Sequence, residues 1–159
     1  MTARKTPNEV AQALAAYLDA SSRSRVAFNW RDRNCCHFAA GWVLEATGRD
    51  VLAGLGVTPD GRAALRLVRA MGGSLEQAWT RQLGIAPVLP LFARVGDVVL
   101  LPTSPLLVGL GAAVGVCAGA QVACIDALGS TLFVPLSHGL RCWHLDQVQP
   151  AGAAAQVAP

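Results

Sequence analysis

The rhythm of polar and apolar positions changes partway along the chain. The first half carries apolar side chains at helical spacing between capping signals. After residue 96 they come as short runs separated by glycine, proline or polar turns, a strand-like pattern. "TPNE" places Thr6 as N-cap, Pro7 at the first helical position and Glu9 as its capping-box partner, which predicts a helix to about Ala20. "SSRSR" then reads as a polar connector. Asn34 caps a second helix that Gly48 stops. A third lies between Pro59 and the Gly72–Gly73 pair, with Leu65, Val68 and Arg69 at helical spacing. Ser74 and Gln77 form a second capping box, opening a short helix that ends at Gly84.

"APVLPLF" is a proline-punctuated crossing segment, and five runs follow: "GDVVLLP", "AAVGVCAG", "QVACIDA", "TLFVPL" and "LRCWHL". Helices first and strands afterwards predict an α+β domain, its N-terminal helices packed on one side of a small antiparallel sheet. The expectation is one domain over residues 1–148, with residues 149–159, ending "PAGAAAQVAP", as a flexible tail.

Composition narrows the classes. A formal charge of +3, from 13 basic and 10 acidic residues, without an aromatic-interleaved basic stripe, gives no reason to expect nucleic acid. From Val98 to Ile125 no residue is charged, yet Pro102, Pro105 and several glycines interrupt the stretch. Two buried strands joined by a loop account for it better than a membrane span. The polar "MTARKTPNEV" start lacks the apolar centre of a signal peptide, so the five cysteines are expected as free thiols. None has CxxC spacing, so no metal or cofactor is expected; a thiol-ligated metal or iron–sulfur centre would need at least three of them to converge. Cys117, Cys124 and Cys142 sit in apolar runs, as small buried residues. Trp30, Trp42, Trp79 and Trp143 read as core or core-edge anchors.

"NCCHFAAGWVLEATG" carries the candidate chemistry. At about 100° per residue, Cys35, Phe38, Ala39, Trp42 and Ala46 share the core-facing stripe, Cys36 and Val43 lie on its flank, and His37 points nearly opposite Cys35. Cys35 stands in the first helical turn, where free amides and the helix dipole favour a thiolate. These cues alone favour a small apolar residue where helix meets sheet over a nucleophile. Arg31, Asp32 and Arg33 precede the helix as a solvated loop, in which Asp32 complements the dipole.

Taken with the later "GG" and "RVGDVVLL", the string "FNWRDRNCCHFAAGWVLEATGRD" resembles the NlpC-type branch of papain-like cysteine peptidases. More narrowly it is similar to a small version found in tail-tip gene clusters of siphophages, prophages and gene transfer agents. The resemblance runs from about Phe28 to Leu145. It implies a papain-like fold with Cys35, not Cys36, in the nucleophile's register. It further implies a virion tail-tip location, assembly in the host cytoplasm, other tail-tip or hub proteins as partners, and peptidoglycan as a possible one.

Active members of that family begin the second strand His-Val-Gly-Ile and use its histidine as base. Here the string is Ala113-Val114-Gly115-Val116. Peptide cleavage needs a group that takes the thiol proton and delivers one to the leaving amine; imidazole does both at neutral pH and a methyl group does neither. His138, in the turn before the last strand, is the candidate substitute base. His144 would share a strand face with Cys142, and Asp97 makes a turn and bonds nearby backbone. The resemblance thus implies a degenerate peptidase acting as a structural tail-tip component, with an active peptidoglycan hydrolase built on Cys35 as the alternative.

Overall fold

A computed structural model describes residues 3–103 and 110–150. Four helices, α1 (Pro7–Arg23), α2 (Cys35–Thr47), α3 (Gly61–Ala70) and α4 (Leu75–Leu83), precede five strands, β1 (Val98–Pro102), β2 (Ala112–Cys117), β3 (Gln121–Ile125), β4 (Thr131–Pro135) and β5 (Arg141–Trp143). The strands form one antiparallel sheet in the order β4-β3-β2-β1-β5. The α+β expectation therefore holds. The uncharged stretch from Val98 to Ile125 contains three strands rather than two. Among the described residues no helix is long and apolar enough to cross a membrane. The tail reading for residues 151–159 lies outside the described residues.

Local signals formed most helix ends. Thr6 Oγ1 accepts the Glu9 amide while the Glu9 carboxylate accepts the Thr6 amide, and Gly48 and Gly84 end their helices in left-handed conformation. Two ends differ from expectation. α1 runs on to Arg23 through the polar connector, because Arg23 pairs with Asp19 one turn back and Ser21 Oγ bonds Thr131 Oγ1 at 2.8 Å. Ser74 caps α4 through the Gln77 amide, but the Gln77 side chain turns towards Gly72.

The sheet separates two apolar layers. On the helix side, Phe38, Ala39, Trp42 and Val43 of α2 pack with Val114, Val116, Ala123 and Ile125. Trp42 and Trp143 are fully buried there, and the Trp42 indole N–H donates to Gly96 O at 2.8 Å. α1 crosses α2 closely: a Cβ on Gly41 would sit 2.5 Å from the Tyr17 hydroxyl, which donates to Phe38 O at 2.7 Å. On the opposite side Val99, Leu101, Cys117, Val122, Cys124 and Cys142 form the second layer, covered by Val88, Ala93, Val134 and Leu136. The chain passes from β4 to β5 over that second face, with Leu136 packed in the layer, Gly139 against Val99 and the Leu140 amide on Leu100 O.

Candidate functional site

The start of α2 is fixed by what precedes it. Asn34, nearly fully buried, accepts the His37 amide at 3.0 Å through Oδ1, and its Nδ2 donates to Asn29 O and Trp30 O. The Arg33 guanidinium donates to Gly129 O and Ser21 O, tying this loop to the β3–β4 turn and to α1. Cys35 therefore stands at a capped, rigidly held helix start, 7% exposed.

β2 and β3 are paired only at Val116↔Ala123 and Cys117↔Val122. Beyond Val116 the ladder has no further pairs, and α2 brings the Cys35 sulfur to the Val114 amide. The Cys35 thiol is held down from 9.0 to about 7. The neighbouring Cys36 thiol is the main cause, helped by the amides of Val114, Cys36 and Cys35 against the opposing push of burial. Cys36 is pushed well above the ordinary thiol range, first by its bond with Cys35 and then by burial. Cys124 is raised to about 11 by burial, with a further push from the charge on Cys35.

A cleft of about 90 Å³ opens beside the two thiols, lined by Phe28, Trp30, Leu55, Leu67 and Val68 among others. Trp30, expected as a core or core-edge anchor, is half-buried in this lining, with Gly61 at the start of α3 against its ring. α3 contributes Leu67 and Val68 to the cleft and has no fully buried residue of its own.

No imidazole in the structure is hydrogen-bonded to Cys35. His37 lines the same cleft, but its Nδ1 lies 3.1 Å from Asn34 Oδ1, and burial lowers its pKa while Asp32 raises it. His138 is exposed in the turn that crosses the far face of the sheet, so the structure does not bring the weak candidate base to Cys35. His144 also lies on the far face, 2.7 Å from Asp97 Oδ2. Asp97 is 4% exposed and bonds nearby backbone as expected, accepting the Arg94 amide at 2.8 Å. It also accepts the Leu145 amide and meets His144, a partner the sequence reading missed because it lies 47 residues away. Ala113 lies opposite Leu101 at the start of β2, next to the residue whose amide reaches Cys35, and packs against the layer containing that sulfur.

These features define a small α+β domain with an activated but unassisted thiol at a helix start. Residues 6–145 match the model of a domain family of unknown function, DUF6950, and the chain belongs to that family. No curated protein matches the chain.

Proposed function

We propose that this is a papain-like domain of the NlpC type that keeps the nucleophile's position without its base. It serves as a structural component of a phage or phage-like tail tip, assembled in the host cytoplasm. There it packs against neighbouring hub proteins where the particle meets peptidoglycan. One observation supports the reading: among the described residues no imidazole is hydrogen-bonded to Cys35, and residue 113, which the resemblance aligns with the peptidases' histidine, is an alanine next to the Val114 amide that contacts the sulfur. The thiolate is stabilised, but among the described residues no imidazole is placed to deliver a proton to a leaving amine, so peptide hydrolysis lacks its exit step.

Purified full-length chain incubated with murein sacculi should release no muropeptides above a Cys35→Ala control. Antibody to the chain should decorate the tips of particles from producing cells in electron micrographs. Hydrolysis that Cys35→Ala abolishes, or particles devoid of label, would sink the scaffold reading. The thiol held near 7 favours a second reading, an active peptidoglycan hydrolase with Cys35 as nucleophile, whose base a partner chain would supply. That reading requires hydrolysis to emerge only in the assembled tip.

A further inference from the structure

Away from the α2 cleft, donor side chains from β5 and from the residues flanking β1 and β5 converge at one end of the sheet's second face. Val98 pairs with both Val116 and Trp143, so the residue before it, Asp97, lies in a cross-strand row between Cys117 and His144. The Cys117 amide donates to Asp97 O at 2.8 Å, which confirms that register. Strand alternation puts Cys142, two residues before His144, on the same face. Ligand-type atoms of Asp97, Cys142 and His144 all lie within 4.8 Å of one another. Cys117 packs in the same layer as Cys142, but its thiol donates to Gly119 O at 3.4 Å and stands outside this group.

This cluster is not a second nucleophile site. Cys142 is fully buried, burial pushes its thiol up to about 11, and it donates to Leu89 O at 3.5 Å. A carboxylate, an imidazole and a thiol are instead a donor set that zinc takes in tetrahedral coordination, whereas calcium and magnesium take oxygens. The sequence reading required three converging thiols for a metal; the structure offers one thiol completed by other donor types.

We propose that Asp97, Cys142 and His144 form a structural site for a zinc-type divalent metal, with water in the fourth position, that ties the start of β1 to β5 and the residue after it. On binding, the Cys142 thiol releases its proton to solvent, and the metal replaces the proton between His144 and Asp97. Two ligands on one zinc stand about 3.4 Å apart, given bonds of about 2.0–2.1 Å, so the 2.7 Å His144–Asp97 contact opens slightly. The Arg94 and Leu145 amides already hold the carboxylate and would go on orienting it. All three residues are buried or nearly so, which suits a structural role.

Cobalt(II) titration of the reduced, chelator-treated full-length chain tests this. The wild type should develop thiolate-to-cobalt charge-transfer absorption and the strong visible bands of tetrahedral cobalt, saturating at one equivalent and bleached by zinc. Cys142→Ser and His144→Gln, checked for folding by circular dichroism, should lose these bands, and Cys35→Ser should keep them. A wild type without charge-transfer absorption overturns the proposal regardless of how the variants fold. So do bands that survive in both cluster variants, or that vanish in Cys35→Ser and thereby locate the metal at α2.

Discussion

Replacing Asn34 by alanine removes three hydrogen bonds to backbone, besides the contact with the His37 ring, from the turn that presents Cys35. The Oδ1 bond from the His37 amide is the helix cap, and such caps contribute about 1 kcal/mol. The Nδ2 bonds to Asn29 O and Trp30 O contribute about 1 kcal/mol each, more where the freed carbonyl has no water to turn to. The sum is about 3 kcal/mol, a large part of a typical domain's 5–15 kcal/mol. With a urea slope of about 2 kcal/mol per molar, the unfolding midpoint should drop by roughly 1.5 M. Tryptophan fluorescence reports the transition, since Trp42, Trp79 and Trp143 are buried in the folded chain. Asn34→Asp separates the contributions. It keeps the cap acceptor and gains from the helix dipole, but loses both donors and turns lone pairs towards two carbonyl oxygens. Its stability should fall between wild type and alanine. An alanine variant within 1 kcal/mol of wild type, or an aspartate variant equal to wild type, refutes the view that Asn34 clamps the loop as well as capping α2.

Three further outcomes are expected. The pH profile of Cys35 alkylation should have its midpoint at about 7 in the wild type, move up towards the ordinary 9.0 in Cys36→Ala, and lie between in Cys36→Ser; an unmoved midpoint would remove Cys36 as the main cause. Gly115→Ala should destabilise by about 1–3 kcal/mol, because its Cβ would collide with Ala123 O and Val122 Cγ1 of β3, and a neutral effect would contradict that packing. Thermal stability should fall between pH 9 and 11. There the folded chain retains protons on Cys124 and Cys142, raised from 9.0 to about 11, that the unfolded chain has released, whereas the depressed Cys35 adds stability only up to 9.0; a flat profile would argue against buried thiols.

What the residues determined alone was local. Caps at Thr6, Asn34 and Ser74 and glycine stops at Gly48 and Gly84 act over three or four residues, and such geometry is written in the chain itself. Alternation and apolar runs marked the strands and the burial of Cys117, Cys124 and Cys142. Tertiary structure decided the rest. It seated β5 beside β1 rather than β4, carried His138 across the sheet from Cys35, and let Val114 meet the sulfur past the last pair of β2 with β3. It also joined Asp97 to His144, and it extended α1 by an ion pair and a contact with Thr131. Each of these depends on which distant surfaces the folded core presses together. Local propensity cannot encode that choice, because the energy deciding it belongs to contacts between residues many turns apart.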